Sequence, residues 1–184
     1  MAQKAQVIKA DLQIADMDRH HYQNYTLRLA QHPSETDERL MIRLLAFILN
    51  ASENLEFSRD LSGEGGAELS AMTLEGGIDL WVMFGTPDEK WIRKASQQSK
   101  HVKIYAYGGR SVPVWWQQNA TALQRYTNLE VWQLSDESVS AMAELLDRSV
   151  NLQCTINEGQ VWITDGTKDV ALEPILIKEI DARN

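Results

Sequence analysis

Apolar positions follow two rhythms along this chain. From Gln6 to Ile14, Val7, Ile8, Leu12 and Ile14 stand among polar residues in the manner of a half-buried strand. After a turn over residues 17–24, Tyr25, Leu27 and Leu29 repeat the alternation toward His32-Pro33, so a hairpin is expected first. The rhythm then changes. Ser34 is placed to cap a helix from Glu35 to about Asn50, with Glu35, Asp37 and Glu38 where the helix dipole favours negative charge. Its broad apolar face, Leu40, Met41, Leu44, Leu45, Phe47 and Ile48, predicts a central buried helix.

Strand and helix signals alternate through the middle of the chain. Leu55–Ser58 reads as a short strand, the glycine-rich SGEGGAE stretch as a connection, and residues 69–74 and 78–84 as a hairpin or two successive strands. Gly85-Thr86-Pro87-Asp88 opens a helix carrying Lys90 to Gln98. Val102–Tyr107 is bulky enough to be buried on both faces, as in a parallel strand. A Gly108-Gly109 loop leads to a helix with Trp115, Trp116 and Leu123, and a strand follows over residues 129–134. Ser135 is placed to cap a helix to about Arg148. Strands near residues 151–157, 160–164 and 170–172 close the chain, the first two joined by a turn at Asn157-Glu158-Gly159. The pattern predicts an α/β fold: a single domain over residues 1–184 with one mixed central β-sheet flanked by helices and antiparallel strands from both chain ends.

Composition narrows the function classes. A chain of 184 residues with 43% hydrophobic content can build one ordinary core. Its formal charge of -8 argues against nucleic-acid binding by general attraction, so any such contact needs a local basic patch. Lys90, Arg93, Lys94, Lys100, Lys103 and Arg110 form the one dense candidate, to be weighed against an ordinary solvated face. The absence of a long apolar block predicts a cytoplasmic protein without membrane association. Cys154 lies within the alternation of Val150, Leu152 and Ile156 and is expected as a buried thiol on a strand.

Asp79 is the residue that most invites chemistry. It precedes Trp81 and Met83 on one face of an otherwise apolar strand, where an ionised carboxylate is costly unless paired or bound to metal. The alternative is a turn cap after Gly76-Gly77. The Pro87-Asp88-Glu89-Lys90 tetrapeptide reads as a helix start. Adjacent His20 and His21 are poorly spaced for one metal. Trp81, Trp132 and Trp162 lie in strands and are expected in the core, whereas Trp115 and Trp116 cannot both face inward from one helix. Phosphate loops, nucleophile elbows and CxxC pairs are absent from the sequence.

The stretches HPSETDER at His32–Arg39, IDLW at Ile78–Trp81, PDE at Pro87–Glu89 and WWQQN at Trp115–Asn119 resemble those of the YaeQ family over nearly the whole chain. That family is similar in fold to the PD-(D/E)XK, restriction-endonuclease-like nucleases. The resemblance implies a metal site in which Glu38, with Glu35 beside it, and Asp79 would hold Mg²⁺ for phosphodiester hydrolysis. The chain departs from the pattern where Met83 replaces a Glu and Gly85 stands in place of the motif Lys. Methionine does not substitute for a hard oxygen ligand of Mg²⁺. The reading that follows is a nucleic-acid or protein-binding module with an incomplete acidic cluster. The alternatives are a Mg²⁺-dependent nuclease with a migrated motif, using Lys94 and Gln98 with Asp79 and Glu38 as catalytic residues, and a protein-interaction module with a vestigial site.

Overall fold

The computed structural model describes residues 5–58 and 66–181. The chain packs as two compact units, one drawn from residues up to Asn50 with Glu137–Pro174, the other from Ala51–Asp136 with the residues from Ile175 onward. Most of the SGEGGAE connection lies outside the described residues.

In the first unit, β1 (Gln6–Asp16) and β2 (His21–Gln31) form the expected hairpin in unbroken antiparallel register. The turn is tighter than the sequence suggests, because residues 21–24 already belong to β2. Buried Asp16 accepts from the backbone N–H and Nε of Arg19, at 3.1 and 2.7 Å, and a positive φ at His20 completes the reversal. β8 (Ser149–Asn157), β9 (Gln160–Thr164) and β10 (Asp169–Leu172) form an antiparallel meander. Glu158 and Gly159 between β8 and β9 both have positive φ, as a type I′ turn demands. Asp18 accepts from both of their N–H groups, at 2.7 and 2.9 Å. Parallel pairing of β1 with β8 joins these groups into one sheet, ordered β10-β9-β8-β1-β2.

Helix α1 (Asp37–Asn50) is buried at every position from Leu40 to Ile48, as expected of a helix at the centre of a core. Its start differs from the sequence reading. Thr36, not Ser34, caps it, accepting the Arg39 N–H on Oγ1 at 3.2 Å and the Leu40 N–H on its carbonyl at 3.1 Å. Ser34 instead meets His32 Nδ1 at 2.6 Å. Glu35 lies before the helix and takes a bidentate ion pair from buried Arg43, at 2.6 and 2.9 Å. Helix α4 (Asp136–Ala143) stops five residues short of the expected end at Arg148.

The second unit holds a second mixed sheet, ordered β11-β7-β6-β5-β4-β3, where a single central sheet was expected. β3 (Leu55–Phe57), β4 (Leu69–Met72) and β5 (Ile78–Phe84) run antiparallel. β5, β6 (Ser99–Ala106) and β7 (Leu129–Gln133) are parallel, as the bulk of β6 implied. Their crossovers are α2 (Glu89–Gln98) and α3 (Ser111–Leu123). Trp81, Ile104 and Val131 from the strands pack with Ile92, Val112 and Leu123 from the helices in one buried cluster.

β11 (Ile175–Lys178) carries no sequence signal and pairs antiparallel with β7 through a bulge between Leu176 and Lys178. Buried Lys178 donates from Nζ to the carbonyls of Tyr126, Leu129 and Glu179, at 2.9, 3.0 and 3.2 Å, and this anchors the strand. Burial lowers its pKa below the usual 10.5, against the opposing pull of Asp181 and Glu130. The folded state therefore releases this proton at lower pH than the unfolded chain. Between the two values the unfolded chain binds more protons, so stability rises with pH. Denaturant titrations should show the wild type gaining on Lys178→Met as pH climbs toward 10.5. A difference that is constant with pH would contradict this account of the residue.

Candidate functional site

Asp79 is half-buried at the amino end of β5. The turn before it does not depend on its carboxylate. Thr73 closes that turn with its carbonyl and Oγ1, accepting from Gly76 and Gly77 at 3.1 and 3.0 Å. Alternation along β5 sets Asp79, Trp81 and Met83 on the helix-covered face. There Trp81 is 3% exposed, and Met83 packs against the same cluster as α2 and α3. The position expected to hold a second carboxylate is thus part of an apolar core. An ionised ligand there would carry a large desolvation cost, and the residues present do not fit a Mg²⁺ centre.

The remaining candidates fall in both units. Glu38 is exposed in the first turn of α1 and belongs to the first unit, whereas Asp79, Lys94 and Gln98 belong to the second. Gln98 ends α2 and precedes Ser99, the Cα partner of Ile78, so it stands at the same end of the sheet as Asp79. Lys94 lies one turn earlier. Among the described residues no group of three or more His, Cys, Asp or Glu side chains is placed to hold a metal ion.

The PDE segment is structural. Asp88 is the N-cap residue of α2 and offers its carbonyl to the N–H groups of Trp91 and Ile92, at 3.0 and 3.3 Å, rather than a side-chain cap. The Pro87 carbonyl accepts from Trp115 Nε1 at 2.8 Å. Glu89 Oε1 accepts a short bond from the Tyr126 hydroxyl. Burial and this carboxylate together raise the Tyr126 pKa. These contacts fix the start of α2 against α3 and the turn that follows it. Gly108 and Gly109, both with positive φ, open α3. The φ of +57° at Gly109 favours glycine, and a Cβ there would also push on Asp136 Oδ2 at 2.6 Å.

The outer face of α2 is basic and aromatic. Half-buried Trp91 has the Lys90 ammonium 4.7 Å from its ring centroid and that of Lys94 at 5.8 Å, with Arg93 exposed beside them. This grouping is narrower than the basic patch read from sequence. Lys103 alternates to the opposite face of the sheet and lies 3.8 Å from Glu130. Trp115 is buried and Trp116 half-buried, and both pack against the core cluster, where the sequence reading had only one of them facing inward. Cys154 is the expected buried thiol, its pKa pushed up to about 12 by burial. Trp162 overturns its expected core position. It is 42% exposed on the solvent side of its sheet.

Comparison with known proteins places these features in context. Residues 1–174 match the family model described as YaeQ protein. Curated relatives in Salmonella typhi and Escherichia coli K12, both described as "Uncharacterized protein YaeQ", are each 42% identical. The alignments cover 94% of this chain and 96% of the first relative, and 90% and 91% for the second. The crystal structure of a YaeQ protein from Xanthomonas axonopodis pv. citri superposes with a TM-score of 0.92 at 42% identity, covering 95% of this chain and 98% of that one. The Pseudomonas syringae structure gives 0.89 at 26% identity, covering 95% and 97%.

Proposed function

This chain belongs to the YaeQ family, and from that premise we propose that it is a nucleic-acid-binding module on a PD-(D/E)XK-like scaffold whose Mg²⁺-binding cluster is incomplete. The observation that carries the reading is the α2 face, where one indole is flanked by the ammonium groups of Lys90 and Lys94. Single-stranded nucleic acid is bound by this combination of stacking platform and cations. On binding, the lysines leave the indole for phosphates, and the ring face they covered stacks on a base. The net charge of -8 favours contact at a local basic patch such as this one over general attraction. The scaffold assignment is supported by chain order, in which the helix bearing Glu38 precedes the strand bearing Asp79. Met83 in the apolar core supports the loss of hydrolysis.

Trp91→Ala is expected to weaken binding of a fluorescein-labelled single-stranded DNA or RNA by about 5- to 150-fold, the loss of one stacked base. Unchanged anisotropy titrations would overturn the stacking role. Calorimetry with Mg²⁺ and Mn²⁺ should show no site that depends on Asp79. Binding abolished by Asp79→Ala would instead favour a hydrolase using Asp79 and Glu38 with a migrated Lys94 or Gln98.

A further inference from the structure

The solvent face of the first unit's sheet carries a row that no reading so far has used. Register places Ala171 beside Trp162, Trp162 beside Thr155, Thr155 beside Ala15, and Ala15 beside Tyr22, all on one face. Trp162 is 42% and Tyr22 62% exposed. Three strand spacings separate them, about 14 Å at 4.8 Å each. Between the two aromatic side chains the floor is made of Thr155 and Ala15, small enough to leave both rings standing clear. The next row along the strands is Asn24, Gln13, Gln153, Thr164 and Asp169. These two rows contain no cation and one charged side chain, Asp169 at the β10 edge, in a protein with 24% charged residues. A cavity of about 220 Å³ lies against Trp162, bounded by Gln160, Ala171 and Glu173 together with Val161 and Leu172.

We propose that this face binds a neutral, polyhydroxylated chain, a glycan. Aromatic rings offer apolar faces to the C–H side of sugar rings, and amides both donate to and accept from hydroxyls. The lack of cations, and of any charge away from the β10 edge, selects against other partners. Phosphate-bearing chains find no cation here to replace their counterions. A cationic peptide finds carboxylates only at the β10 edge, Asp169 in the second row and Glu173 at the margin of the cavity, with none between the two aromatic rings. The cavity is small against typical ligand sites and suits one terminal ring rather than a large cofactor.

The test is native affinity electrophoresis of the full chain through gels containing glycogen, dextran or hydroxyethyl cellulose, alongside light scattering. Retardation of the wild type by at least one polymer, abolished by Trp162→Ala and weakened by Tyr22→Ala with unchanged thermal melts, is the expected result. Absence of retardation in all three gels would overturn the proposal, as would retardation that Trp162→Ala retains. A wild-type dimer that Trp162→Ala dissociates would also overturn it, because a second copy would then cover the face.

Discussion

Arg43→Met is expected to destabilise the protein by about 3–5 kcal/mol, the range for breaking a buried ion pair from one side. Arg43 is 3% and Glu35 8% exposed, and the guanidinium also donates to the Ala30 carbonyl at 3.0 Å. It therefore joins the segment before α1, the helix itself and the end of β2. Methionine fills a similar volume but leaves the Glu35 carboxylate, among the described residues, with the exposed-side contact from Arg39 alone, at 3.0 Å. The penalty is the stranded carboxylate, not lost packing. Glu35→Leu combined with Arg43→Met should recover most of the loss, because an apolar pair removes both charges together. Urea denaturation midpoints of the wild type, single and double variants measure this. A double variant no better than the single would show that packing, rather than charge, governs the position.

Trp81→Ala is expected to cost about 3–5 kcal/mol, as a large aromatic removed from a closed core leaves a cavity. Its ring fills the space between β5 and the crossover helices. The indole Nε1 is buried and has no hydrogen-bond partner among the described residues. Trp81→Phe therefore loses ring area without breaking a hydrogen bond and should cost about 1–2 kcal/mol. Equal losses for the two variants would mean that the indole nitrogen is engaged after all. The contrast bears on the site, because Trp81 separates Asp79 from Met83 on the face where metal ligands would have to converge.

Features encoded over a few residues were legible before the fold was known. The apolar density of α1, the bulk of β6 between two helices and the Asn157-Glu158-Gly159 turn each follow from local pattern. The cap of α1 is ambiguous in the sequence because Ser34 and Thr36 both suit a helix start, and it is settled by tertiary geometry, in which Ser34 turns to His32 and Thr36 accepts the Arg39 N–H. Parallel pairing of β1 with β8 depends on contacts across more than a hundred residues, and periodicity carries no record of it. That pairing is why two mixed sheets stand where one was expected. β11 was missed because four residues after a proline have no room to alternate, and a single lysine bonded to three carbonyls holds the strand. Trp162 was misplaced because an aromatic in a strand has a side set by register rather than by hydrophobicity.

The candidate site divides along the same line. The helix start at Pro87-Asp88-Glu89 was correctly read as structural, and the identity of Met83 already argued against a complete ligand set. The grouping of Lys90, Trp91 and Lys94 was only half visible. Helical spacing places the lysines on one face, but their approach to the indole needs side-chain geometry.

The account rests on the α2 face binding nucleic acid through phosphate contacts, and its salt dependence tests this most directly. Affinity for a labelled single-stranded oligonucleotide would be measured by anisotropy at several salt concentrations, for the wild type and for Lys90→Ala combined with Lys94→Ala. The predicted result is weaker binding by the variant and a slope of log K against log salt that is shallower by about 1.4, the loss of two single-strand phosphate contacts. Identical affinities and slopes for the two proteins would contradict the account.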